Sequence, residues 1–135
     1  MLQFYFLSIL LNFFGGAILA AAFLEKRLSL FGGLEEFMNE RGNLNLGVGI
    51  AALLVGILKF LSVVEGDMKV LGDLLPALAG IMVGLALLTS YYRNRTDVQT
   101  ESGFNIFLEK YQVVIGLSSM AVAALHFFIP RVLFL

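Results

Sequence analysis

The sequence predicts an all-α integral membrane protein of four transmembrane helices, arranged as a two-fold repeat of one helix hairpin with interfacial segments between the spans. Three observations predict it. Hydrophobic residues make up 59% of the 135-residue chain and charged residues only 14%, with a mean hydropathy of +0.91. A soluble domain carries about 25% charged residues, so this chain lacks the charge to clothe a water-facing surface. Four apolar stretches each approach the roughly 20 residues that a helix needs to cross a hydrocarbon core. Finally, the second and fourth of these stretches align with each other without gaps.

The first span is residues 3–24. Its basic residues, Lys26 and Arg27, follow the apolar run instead of preceding it. The run also exceeds the usual apolar region of about 7–15 residues in a signal peptide, so it reads as a retained span. A long connection, 25–43, carries an amphipathic patch at 28–38 in which Phe31, Leu34, Phe37 and Met38 alternate with Glu35 and Glu36. Such a patch suits the headgroup boundary, as a re-entering interfacial helix or as a docking element. The second span is 44–64, and a short polar turn of Glu65, Gly66, Asp67, Met68 and Lys69 leads into the third, 70–91. A second long connection, 92–110, with its own patch at 104–108, precedes the fourth span at 111–129. In lipid the backbone must satisfy its own polar groups, so stretches of this length must be helices. Pro76 and Pro130 read as helix-terminal features, where a missing backbone donor costs little.

Basic residues divide unevenly between the two sides. The long connections hold Lys26, Arg27, Arg41, Arg93, Arg95 and Lys110, while Lys69, Arg131 and Lys59 belong to the opposite side. The positive-inside rule then places the long connections in the cytoplasm and both termini outside, in a bacterial-type cytoplasmic (inner) membrane.

The repeat pairs Gly49 with Gly116, Gly56 with Ala123, Lys59 with His126 and Phe60 with Phe127. Upstream, Gly33, Phe37 and Met38 resemble Gly103, Phe107 and Leu108, while Gly15 and Gly16 match Ala79 and Gly80 more loosely. The chain is thus one membrane domain, 1–135, made of a first half at about 1–67 and a second at about 68–135. Each half crosses twice, so the halves share an orientation about an axis along the membrane normal.

Polar residues inside a membrane are costly and are functional candidates by default. Lys59 and His126 end the second and fourth spans, and the pseudo-twofold brings them to one level. Together they would bind an anion or headgroup, with His126 titrating near neutral pH. The blander alternative is a snorkelling Lys59 and a His126 at a wet helix end. Asn12, in the middle of the first span, is expected to bond a neighbouring helix, at roughly 0.6–2 kcal/mol. Ser118 and Ser119 are expected to bond carbonyls one turn back along their own helix. Gly80-x-x-x-Gly84, with Gly15, Gly16, Gly49, Gly56 and Gly116, predicts faces where helix backbones approach closely.

Several function classes are excluded. A net charge of −1 gives no basic field for nucleic acid. The absence of cysteine removes disulfides and thiolate metal sites, and one histidine cannot supply a His-rich metal site. No HExxH, nucleophile elbow or phosphate loop occurs, so neither enzyme activity, metal nor cofactor is expected.

Gly49-x6-Gly56-x2-Lys59-Phe60, followed by the helix from Leu71 to Thr89, resembles the Gly…Gly-x-x-Lys pattern and following helix of DoxX-like membrane proteins. The resemblance covers about forty residues. It implies a small four-helix membrane protein, some members of that family being associated with quinone or thiol redox systems. That family carries the pattern in its first span, whereas here it stands in the second, and no active site carries over.

The function expected from these readings is a non-enzymatic accessory or scaffold subunit of a membrane complex. The alternatives are a homo-oligomeric channel or transporter for an ion or small solute, with Lys59, His126 and Asn12 lining its path, and a DoxX-like redox-associated protein. The expected partners are the lipid bilayer and either further copies of this chain or another membrane protein.

Overall fold

A computed structural model describes residues 2–64, 70–95 and 102–129. Among them every element is helical: α1 (Leu2–Leu19), α2 (Ala21–Arg27), a 3-10 turn (Ser29–Phe31), α3 (Leu34–Glu40), α4 (Gly42–Val64), α5 (Val70–Arg95), α6 (Gly103–Lys110) and α7 (Gln112–Phe128). The polar turn at 65–69, Asp97 and Glu101 of the second connection, and Pro130 with Arg131 lie outside the described residues.

Two helices, over Gly42–Leu61 and Leu74–Arg93, are long and apolar enough to cross a membrane by themselves. The first predicted span is not one straight helix. α1 ends at Leu19 and the chain turns by 77° into α2. The bend places Leu24 in a buried cluster with Ala17 and Ala20, against Phe31 and Leu34 of the first connection. The fourth span has a matching break: α6 meets α7 at 62° across Tyr111. α1 and α7, with 18 and 17 residues, are roughly 27 and 25 Å long at 1.5 Å per residue.

Pro76 is not terminal. It lies inside α5, two turns after Val70, and is fully buried. Its ring nitrogen leaves the Gly72 carbonyl without an intrahelical donor, yet the helix continues to Arg95. α5 therefore extends four residues beyond the predicted end of the third span.

α4 packs most extensively on α5, and α1 on α7. α1 and α5 also meet each other, and each touches both remaining long helices, so these two fill the middle and α4 and α7 take the far corners. Small side chains dominate the inside: Ala17, Ala20, Ala52, Ala77, Ala86 and Ala123 are buried, whereas Phe6, Leu10, Phe14, Leu54, Leu61 and Phe128 are exposed.

Glycines set the helix separations. A Cβ at Gly16 would lie 2.5 Å from the Gly116 carbonyl oxygen, and one at Gly116 would lie 2.5 Å from that of Gly16. On the other side, a Cβ at Gly84 would meet the Gly49 carbonyl at 2.8 Å, and one at Gly56 would meet the Ile81 nitrogen at 2.8 Å. Backbone against backbone at these distances leaves no room for a methyl group.

Candidate functional site

Tyr5, Ser8 and Asn12 recur at steps of three and four along α1, which puts them on one helix face. That face points into the bundle: Ser8 and Asn12 are buried and Tyr5 is half-buried. Lys59, near the end of α4, and His126, in the last turn of α7, come to the same end of the bundle.

Both converge on Tyr5. The Tyr5 and His126 rings lie 4.6 Å apart between centroids, tilted by 47°. The Lys59 ammonium is 6.0 Å from the centre of the Tyr5 ring, within reach of a cation–π interaction. Lys59 is 8% exposed and His126 3%.

The Tyr5 hydroxyl donates to the backbone carbonyl of His126. His126 lies in the last turn of α7, whose carbonyls have no intrahelical donor, and Tyr5 supplies one.

Asn12 lies two turns deeper, roughly 10 Å from Tyr5 along α1. It does not join Lys59 and His126. Its Nδ2 donates to the Pro76 carbonyl of α5 at 3.0 Å, and its own carbonyl accepts from the Ser119 hydroxyl of α7 at 2.9 Å. Ser119 thus bonds across helices and not one turn back, while Ser118 is exposed. Asn12→Leu removes the bond to Pro76 and is expected to lower stability by about 0.6–2 kcal/mol in reversible unfolding from detergent. A stability equal to that of the parent protein would mean that this bond contributes nothing.

The sequence reading missed Tyr5. One signal could have found it: its placement seven residues before Asn12 on the same face.

The opposite end carries the charges. Glu25, Glu35, Glu36 and Glu40 line an open concavity there, and the Glu25 carboxylate accepts from the backbone N–H of Glu35 at 2.7 Å. Arg93 pairs with Glu109 at 2.6 Å, joining the end of α5 to α6, and Arg95 donates to Asn43 at 3.0 Å. Four basic side chains rest on aromatic rings: Arg27 on Phe23, Arg41 on Phe37, Arg95 on Tyr91 and Lys110 on Tyr111, at 4.8–5.6 Å.

Residues 1–126, which hold the Tyr5–Lys59–His126 cluster and all of the long helices but the last two residues of α7, match the model of an uncharacterised family. The chain belongs to that family. No curated protein and no solved structure matches it. The matched stretch runs from the start of α1 to His126, so the family spans both ends of the cluster.

Proposed function

We propose that this protein is a four-span, non-enzymatic component of a membrane complex, an accessory or scaffold subunit that packs against other membrane helices. One observation carries the subunit reading. The hydrogen bonds described for Tyr5, Asn12 and Ser119 all run from helix to helix, to the carbonyls of His126 and Pro76 and from Ser119 to that of Asn12. Polar groups used in this way fasten a bundle instead of lining a path.

The membrane reading draws support from the inverted packing, with alanine and glycine inside and phenylalanine and leucine outside. Water would oppose that arrangement, whereas lipid tails accept it. Each bent pair then contributes one crossing, through α1 and through α7, giving four. The long connections face the cytoplasm, where Lys26, Arg27, Arg41, Arg93, Arg95 and Lys110 gather.

The two-fold repeat is part of the same reading. Exchanging α1 with α5 and α4 with α7 carries each of the two most extensive helix pairs onto the other. The buried positions keep register as well. Gly49, Ala52, Gly56 and Lys59 correspond to Gly116, Ser119, Ala123 and His126, and Asn12, Gly16, Leu19 and Ala20 correspond to Pro76, Gly80, Val83 and Gly84. A short helix and a one-residue break precede both α4 and α7.

Native mass spectrometry of the protein gently extracted from its own membrane tests the subunit reading. The expected result is a stoichiometric complex with a different membrane protein. Homo-oligomers with no other chain would overturn it in favour of a channel or transporter. The burial of both Lys59 and His126 against Tyr5 favours that second reading, in which Lys59→Ala should change ion flux in liposomes.

A further inference from the structure

The charged end of the bundle has a second feature that the spans do not require. If the long helices stand near the membrane normal, with the usual tilt of about 20°, then α2, turned 77° from α1, and α6, turned 62° from α7, lie close to the membrane plane. Both elements leave large apolar side chains uncovered. Leu30, just after α2, is 91% exposed, and Phe23, Leu28, Phe104 and Phe107 are exposed with it. On α6, Phe104, Phe107 and Tyr111 share one face, while Asn105 and Glu109 lie on the other.

The cations are placed to match. Arg27 rests on exposed Phe23 of α2, and Lys110 rests on exposed Tyr111 beside α6. The carboxylates are drawn elsewhere, with Glu25, Glu35, Glu36 and Glu40 around their own concavity and Glu109 held by Arg93. An exposed apolar ring with a cation resting on it, repeated on two in-plane elements, fits the boundary between acyl chains and headgroup phosphates.

We infer that α2 with its following turn and α6 are two in-plane anchors seated in one phospholipid leaflet, and that the occupant of this apolar surface is the lipid boundary and not a protein. The inference rests on the four-span reading. It takes the ring-bearing faces of both anchors into the outer part of the acyl layer and aligns Arg27 and Lys110 with phosphates.

The chain contains no tryptophan, so a single introduced indole reports its own position. Leu30→Trp, Phe107→Trp and Leu54→Trp, the last on the exposed face midway along α4, are each placed in bilayers containing phospholipid brominated either near the headgroup end or near the methyl end of its acyl chain. Acrylamide serves as the aqueous quencher. The inference expects Leu30→Trp and Phe107→Trp to lose emission mainly to the headgroup-end bromine, with blue-shifted spectra, and Leu54→Trp to lose it mainly to the methyl-end bromine. If Leu54→Trp behaves so but the other two are quenched only by acrylamide, the anchors are in water and the inference is overturned while the four spans stand. If those two are reached by neither bromine nor acrylamide, a protein covers the surface and the inference is likewise overturned. A Leu54→Trp indole untouched by either bromine would remove the four-span reading itself, and the anchors with it.

Discussion

Gly116→Val should abolish the native packing of α7 on α1. The Cβ alone would sit 2.5 Å from the Gly16 carbonyl oxygen and 3.1 Å from the Ala20 nitrogen, both backbone atoms that cannot rotate away. Overpacking a well-filled core costs about 1–3 kcal/mol, and more where the obstacle is backbone. The α1–α7 pair is one of the two most extensive in the bundle, so separation here exposes the interhelical bond from Ser119 to Asn12 as well. The expected reading is a loss of 3 kcal/mol or more, on the order of that upper bound, in reversible unfolding from detergent, or failure to accumulate in the membrane. Gly16→Val should do the same, because the clash is reciprocal. Gly47→Ala is the matched control: nothing lies within 4 Å of its added methyl, and a helical Gly→Ala change should stabilise by roughly 0.5–1 kcal/mol. Equal stability of Gly116→Val and the parent protein would mean that these helices do not meet as described.

Tyr5→Phe should cost about 0.5–1.5 kcal/mol, the net contribution of a typical hydrogen bond, although it deletes a single oxygen atom. The His126 carbonyl lies in the last turn of α7, where helical carbonyls have no intrahelical donor, and the Tyr5 hydroxyl donates to it. Stability equal to that of the parent protein would show that this bond contributes nothing.

The sequence carried α4 and α5 well because each is bounded by polar residues and filled mostly with apolar ones. The bend after Leu19 was hidden for the opposite reason. Residues 20–24 are Ala, Ala, Ala, Phe and Leu, which continue the apolar run with neither glycine nor proline to mark a turn. What turns the chain is tertiary: Leu24 finds buried contact with Phe31 and Leu34 only after the bend. The glycines were legible as small faces, but composition cannot say which face meets which. Gly16 against Gly116, and Gly49 against Gly84, emerged only with the packing.

The candidate cluster was half legible. Lys59 and His126 stood out because charge and imidazole are rare in apolar runs, and the alignment of the second and fourth spans put them at one level. Tyr5 did not stand out, since an aromatic residue near a span terminus reads as an interfacial ring. Its role depends on a carbonyl 121 positions away. Ser119 was read as bonding its own helix because one-turn bonds are the commonest habit of serine in membranes, and the nearby Asn12 carbonyl of another helix displaced that habit.

The order in which the helices pair bears on how the chain is made. The first two long helices, α1 and α4, touch each other less than either touches a later partner: α1 prefers α7, and α4 prefers α5. A nascent chain halted after α4 therefore holds two spans whose glycine-lined faces have nothing to close upon. Its Asn12 amide has not yet met the Pro76 carbonyl, and its Tyr5 hydroxyl has not yet met that of His126. The α4 face and the Asn12 amide can close once α5 is present, whereas the α1 face and the Tyr5 hydroxyl wait for α7.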